Sequence, residues 1–507
     1  MTQQPDILLI LADQWGAASV GAYGCDVDGV TPHLDALAAR GVRYDRHYTP
    51  TPICGPSRNA MLTGRSPSVT GVVANDIEPR ADIPFFTQEL REAGYRTAGV
   101  GKFHFTPHTN YPPSDLDHLG FDDVQVTEDT RHGPWLDWVA AEHPQHYEAA
   151  FATAWPTPYL ASLPPDGRDA RPEWAAARAR HVEPLTRPPH RRIAHPSPLP
   201  EEVHQSTWIA DRTIADIRAC EAAPTTPAFH YVSFVDPHDP YDPPPSWAAR
   251  FDWRAMPAPV PQEWARAGAA WEYGAFQDSK FELDTFDDET WARLRAAFYA
   301  SAAFVDDQIG RILQAVEESG RETLVLFTTD HGDLIGDHGL LMKGPWHYDK
   351  AIRCPMIVAG AETTVGAVVG TLTSHLDLRP TILEAAGIDA GLGEGSALPR
   401  RTAELLDPTA RERLVVETNT SYVAPERDQV RTLITADGWR LTIFCDQAYG
   451  ELFDLVNDPH EQHNLFDDPG HLRRRLAMTE ALIAESAAAV MARYDQPAAR
   501  PRAVTVG

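Results

Sequence analysis

Ile7-Leu8-Leu9-Ile10-Leu11-Ala12-Asp13 is the first regular segment of the chain and sets its architecture. Six apolar residues without polar alternation read as a strand buried on both faces, as inside a parallel sheet. The run is far too short to cross a bilayer. A second run of this kind, Thr323-Leu324-Val325-Leu326-Phe327-Thr328, leads into Thr329-Asp330-His331. Helical and strand patterns alternate between the two. Thr31-Pro32 opens a helix, with Thr31 as N-cap, that Gly41 closes; Phe85 to Glu92 is a helix ended by Gly94. A strand follows at Thr97 to Gly101, then a helix at Trp208 to Ala219, a strand at Phe229 to Val235, and a long helix from about Asp288 to Glu318. The alternation predicts an α/β fold with a large, mostly parallel sheet flanked by helices on both faces.

The pattern changes twice. Residues 105–200 are rich in Pro, His and Trp and lose the alternation, as an insertion carrying binding or lid functions, or one that is solvated decoration, would. Beyond about residue 400, short β-rich runs (Arg413 to Glu417, Val430 to Ala436, Trp439 to Phe444, Glu451 to Leu455) precede a helix from about His471 to Ala492. That part reads as a smaller subdomain, an antiparallel sheet plus one helix, which divides the chain into 1–400 and 401–507.

The chain has 507 residues, 43% of them hydrophobic, and a net charge of −28. Such acidity argues against a nucleic acid or an anionic membrane as partner. The N-terminus lacks a basic n-region and a small-residue cleavage site, so a cytoplasmic location is expected. Five scattered cysteines (25, 54, 220, 354, 445) do not suggest a disulfide framework. Lysine is scarce: only Lys102, Lys280, Lys343 and Lys350 occur among 44 basic residues. Arg could replace Lys wherever charge alone mattered, which singles these four out.

The most specific stretch is Cys54-Gly55-Pro56-Ser57-Arg58-Asn59-Ala60-Met61-Leu62-Thr63-Gly64-Arg65. It resembles the signature of type I sulfatases of the alkaline phosphatase superfamily, in which the Cys is oxidised to formylglycine. Thr329-Asp330-His331-Gly332-Asp333-Leu334-Ile335-Gly336-Asp337-His338-Gly339 resembles that family's second most recognisable segment. The segments Glu451-Leu452-Phe453-Asp454-Leu455 and Asn457 to Leu465 resemble its C-terminal signature, whose role there is structural.

This resemblance implies a catalytic domain over 1–400 that hydrolyses a small anionic ester, with specificity residing in 105–200. It implies a metal held by Asp13, Gln14, Cys54 as formylglycine, Asp330 and His331. Asp13 and Asp330-His331 end strands, where ligands of open parallel sheets gather. Many sulfatases have a second Asp at the position of Gln14 and Asn at that of His331; the variants here also occur in choline-sulfatase and phosphonate-monoesterase relatives. The metal is Ca²⁺, which dominates the wider family, or Mn²⁺, which suits nitrogen donors better.

By the same resemblance, Arg58 stabilises the hydrated aldehyde, and Lys102 and Lys343 contact the sulfate and leaving-group oxygens. His238 meets the leaving group, His104 takes a proton from the diol, and Asn75 binds substrate. Among the other histidines, His108, His118, His190 and His195 read as solvent-facing. His338 and His347 read equally as packing or as catalytic groups and His375 as an orienting group, while Lys280 and Lys350 read as surface residues. A formylglycine-generating enzyme is implied during maturation, and self-association is expected by analogy. Two further readings stand beside sulfate ester hydrolysis. One is phosphonate monoester or phosphodiester hydrolysis by the same machinery, although Lys102-Phe103-His104 favours sulfate. The other is a catalytically silent scaffold with unmodified Cys54.

Overall fold

A computed structural model describes residues 4–106, 116–155, 158–161, 167–187, 193–261, 281–391, 393–406, 410–419, 429–445 and 447–494. Its strands are β1 Asp6–Ala12, β2 Gly41–Tyr44, β3 His47–Tyr48, β4 Arg96–Gly101, β5 Asp123–Val126, β6 Ala228–Ser233 and β7 Thr323–Thr329. They continue with β8 Met356–Gly360, β9 Ala367–Val369, β10 Thr373–Ser374, β11 Arg413–Thr418, β12 Val430–Thr435, β13 Trp439–Phe444 and β14 Gly450–Asp454.

The main sheet has the order β5-β4-β6-β1-β7-β8-β2-β9. β8 pairs antiparallel with both β7 and β2, while the other pairings are parallel. The continuous apolar run of β1 has its predicted consequence. Leu8, Ile10 and Ala12 enter one core, and Ile7, Leu9 and Leu11 enter the other. Alternate side chains point to opposite faces, so both faces need cover. Helices Pro32–Ala39, Gln205–Ala219 and Asp288–Ser319 cover the first face, through Leu34, Ile209 and Phe298 among others. Helices Cys54–Thr63, Phe86–Glu92 and Leu378–Ala385 cover the second, through Met61, Leu90 and Ile382.

β11 to β14 form a separate antiparallel sheet in sequence order. Helix Leu472–Tyr494 packs Met478 and Leu482 on one face of it, against Leu433, Leu441 and Leu452. The opposite face (Val416, Val430, Ile434, Phe444) meets Trp346, Tyr348 and Ile352, which follow the second signature segment in the chain. Buried Arg440 is central here: it pairs with Glu451 at 3.1 Å and Glu461 at 2.5 Å and lies over the Tyr348 ring at 5.3 Å. Glu461 also accepts the Asp349 amide at 2.7 Å. The C-terminal sheet thereby clamps the loop that carries Lys343.

Three expectations need correction. Thr31 is not a side-chain cap, because its hydroxyl bonds Gly21 and Asp35 instead. Asp306 of the long helix accepts the first-turn His33 and Leu34 amides at 2.9 Å each, doing the same work from a distance. Gly41 begins β2 rather than closing a helix. Among its described residues, the stretch 105–200 also carries three short α-helices, Pro134–Glu142, Tyr147–Thr153 and Arg171–His181. At 7 to 11 residues, none exceeds the shortest window over which helical periodicity is read in so Pro-rich a sequence.

Among the described residues, no helix is long and apolar enough to cross a membrane. The five cysteines are unpaired.

Candidate active site

Four neighbouring strands, β4, β6, β1 and β7, deliver side chains to one place beyond their carboxyl ends. β1 ends on Asp13 and Gln14, and β7 on Asp330 and His331. After β4, Gly101 adopts φ +103°, and a Cβ there would lie 1.9 Å from the Ser233 carbonyl. Only glycine permits this turn, which directs Lys102 inward. Helix Cys54–Thr63 starts at the site with every residue buried, and Gly64 ends it in the left-handed conformation. Gly55 lies in close quarters, since a Cβ there would stand 3.0 Å from Asn75 Oδ1 and 3.4 Å from the His104 carbonyl.

The structure brings Asp13, Cys54, Asp330 and His331 together, one donor atom from each lying within 4.8 Å of the others. Cys54 Sγ is 3.1 Å from His331 Nε2 and 3.8 Å from Asp13 Oδ1. His331 Nδ1 bonds the Gly332 carbonyl at 3.0 Å, which fixes the tautomer and turns the Nε2 lone pair into the cluster. Burial holds the His331 imidazolium down, to about 4, so the ring is neutral and free to donate. An oxygen, oxygen, nitrogen and sulfur set of this kind suits a divalent cation.

Positive charge surrounds the cluster. Arg58 spans both aspartates, 3.0 Å to Asp13 and 2.9 Å to Asp330, and also bonds the Lys102 carbonyl, Tyr231 and Ser233. Lys102 Nζ sits 2.7 Å from Asp13 and 2.8 Å from Asp129. Burial would raise the Asp13 carboxyl, but Lys102, His238 and Arg58 outweigh it and hold the group well below the usual range. Burial and the Asp13 charge push the Cys54 thiol up, away from thiolate.

Lys343 Nζ lies against Gln14 Oε1 and His238 Nε2. Gln14 Nε2 donates to Asp333 at 2.6 Å, and His238 Nδ1 bonds the Asp239 carbonyl at 2.8 Å. His104 is buried, with φ +47°; its amide and that of Phe103 donate to Glu128. Asn75 Oδ1 accepts the Gly55 amide at 2.9 Å, bracing the start of the Cys54 helix.

Several neighbours escaped the sequence reading. Asp129 and half-buried Trp155, whose ring centroid is 6.2 Å from that of His238, belong to the aperiodic insertion and carried no signal. Asp333 accepts Gln14, Tyr241 and the Ile335 and Met342 amides, pinning the loop before Lys343. Its place in the Thr329–Gly339 string was the available clue. Lys350 is not a surface residue; it is largely buried against Asp337 at 2.5 Å. His195 is buried rather than solvent-facing, because its segment bridges to Tyr241. His338 stacks on Tyr348, and His347 bonds Thr432 and Thr418. His375 bonds the Asp330 carbonyl and His47. His108, His190 and Lys280 lie outside the described residues.

Comparison with known proteins gives a consistent result. A family model described as "Sulfatase" matches residues 5–388, and one described as "N-sulphoglucosamine sulphohydrolase, C-terminal" matches 336–488. The chain is similar to an arylsulfatase of Clostridium perfringens, 26% identical over 95% of this chain and 94% of that relative. It is likewise similar to a choline-sulfatase of Rhizobium meliloti, 26% identical over 92% and 83%. Its fold resembles that of a phosphonate monoester hydrolase from Silicibacter pomeroyi, with a TM-score of 0.76, 23% identity and 95% of each chain covered.

Proposed function

The chain belongs to the sulfatase family of sulfuric ester hydrolases, and we propose from that premise that it cleaves a sulfate monoester through formylglycine made from Cys54. The observation that carries this reading is the convergence of Cys54 with Asp13, Asp330 and His331, flanked by two of the chain's four lysines. A thiol held protonated beside a carboxylate is a poor nucleophile, which supports a different reactive form at position 54. A formylglycine-generating enzyme would be the maturation partner. In this reading residues 1–400 form the catalytic unit, 105–200 supply recognition, and 401–507 brace the Lys343 loop.

Asp13, Asp330, His331 and the oxygen of residue 54 would hold a divalent cation, with the Gln14 amide oxygen as the fifth donor. A bound cation supplies charge neutralisation and orientation at the sulfate oxygens. The single nitrogen donor favours Mn²⁺ over Ca²⁺. Arg58 keeps both aspartates in place. Lys102 and Lys343 balance the ester oxygens as charge moves toward the leaving group. A formylglycine hydrate at position 54 would supply the hydroxyl nucleophile toward sulfur, its proton passing to the neighbouring Asp13 carboxylate, while His238 would give a proton to the leaving oxygen as its bond to sulfur breaks. His104 would take the proton of the remaining hydroxyl, which lets the aldehyde re-form and sulfate leave. Asn75 positions the helix start through Gly55.

The decisive test is the mass of the peptide carrying Cys54 after co-expression with a formylglycine-generating enzyme. A loss of roughly 18 Da is expected for thiol to aldehyde. An unchanged thiol in an active enzyme would remove the mechanism. Phosphonate monoester or phosphodiester hydrolysis remains a second reading on account of Gln14 and His331, and turnover on a panel of the three ester types ranks them. Trp155 beside His238 is placed to flank the leaving group. Trp155→Ala is expected to raise KM for aryl sulfates about 3- to 10-fold, the worth of one aromatic contact, with kcat little changed. An equal change for small alkyl sulfates would refute that placement.

A further inference from the structure

A second constellation of ligand-type side chains lies toward the amino ends of β4 and β6, away from the catalytic candidates. Asp216 sits in the last turn of helix Gln205–Ala219, and Cys220 is the residue that ends it, four positions on and so on the same face. His230 projects from β6, which lies alongside. One oxygen, one nitrogen and one sulfur from these residues lie within 4.8 Å of one another. His230 Nδ1 is 2.9 Å from Asp216 Oδ2. His230 and Cys220 are 5% and 6% exposed, so the donors are sheltered yet close to the surface.

We infer that Asp216, Cys220 and His230 form a second metal site, separate from the catalytic one, for a borderline-soft divalent ion of the Zn²⁺ type. Thiolate, imidazole and carboxylate are the donors such an ion takes. The C-terminal end of the 15-residue helix adds the negative pole of its dipole. Arg96 caps the set from outside. It binds both oxygens of Asp216, one of them at 2.9 Å, and its Nη1 is 3.7 Å from Cys220 Sγ. Such a clamp orients a ligating carboxylate in the way outer partners of metal ligands do. Thiolate and carboxylate balance one M²⁺, and the Arg96 guanidinium leaves the set with a single positive charge, in a chain of net −28.

Without metal, His230 Nδ1 and Asp216 Oδ2 contact each other directly across the place the ion would take. Binding releases the S–H and N–H protons to solvent as the sulfur–metal and nitrogen–metal bonds form. Helix Gln205–Ala219 is thereby tied to the sheet at the end opposite the reaction.

Co²⁺ titration of the metal-stripped full-length Cys54→Ala protein tests this, because that background removes the catalytic-site thiol. A near-ultraviolet sulfur-to-cobalt charge-transfer band should grow to one equivalent and be displaced by Zn²⁺. It should disappear when Cys220→Ser is added, and His230→Gln should weaken Co²⁺ binding by at least about 10-fold. No band in Cys54→Ala, or a band that survives Cys220→Ser, overturns the site. Cys220→Ser in the otherwise native chain should retain ester hydrolysis, so this result stands apart from the fate of the catalytic reading.

Discussion

Asp13→Asn is expected to lower kcat about 10³-fold or more while leaving the fold in place. Asparagine matches aspartate in size, so the packing behind β1 is undisturbed. What changes is charge: Lys102 at 2.7 Å and Arg58 at 3.0 Å both lose an anion they share. Each keeps another, Asp129 for Lys102 and Asp330 for Arg58, so the loss of stability should stay near 1–3 kcal/mol. A divalent cation held by the proposed site would fare worse. It would lose a charged donor and gain the full repulsion of two buried cations, and its affinity should fall by more than about 100-fold. The amide also presents N–H groups to sites that need acceptors. Metal analysis, single-turnover kinetics and denaturant unfolding of one preparation separate these effects. A variant turning over within about tenfold of the parent would mean that Asp13 does not organise the reacting centre.

The second large effect lies far from the chemistry. Arg440→Met should destabilise the protein by about 3–5 kcal/mol, because it leaves Glu451 and Glu461 buried without their cation. Burial pushes both carboxyls up even with Arg440 present, Glu461 to about 7, so without it both would take up protons near neutrality. Glu461 would then grip the Asp349 amide less firmly, and the Lys343 loop would lose its brace. Urea unfolding reads the stability, and kcat for aryl sulfates should fall with it. Adding Glu451→Gln and Glu461→Gln should restore much of the stability, since neutral amides tolerate an apolar neighbour better than carboxylates do. Failure of that rescue would show that Arg440 matters through packing on Tyr348 and Phe453 rather than through charge.

The sequence made some of this legible and hid the rest for physical reasons. The apolar runs of β1 and β7 announced buried strands, and Asp13 and Asp330 ended them where strand ends gather ligands. The reversal of β8 left no mark, because an unbroken apolar run has no direction written in it. Arg58 stood out through its motif, yet its bridging of two aspartates depends on strands meeting from distant parts of the chain. Asp129 and Trp155 come from a segment without periodicity, so nothing local distinguished them from solvated decoration. His195 and Lys350 show the converse: polar residues in loops read as surface until a neighbouring segment covers them.

Cys54 has no exposed surface, and the helix it begins is buried along its whole length. Any catalyst that must oxidise this side chain therefore works on the chain before the helix docks, or on a state in which it has come away. Under the formylglycine reading, maturation and folding would be competitors in time. The yield of active enzyme is then set by the ratio of two rates rather than by an affinity. Slower synthesis or a delayed arrival of β7 would widen the window, and rapid collapse would close it, leaving a stable, well-folded and inert protein.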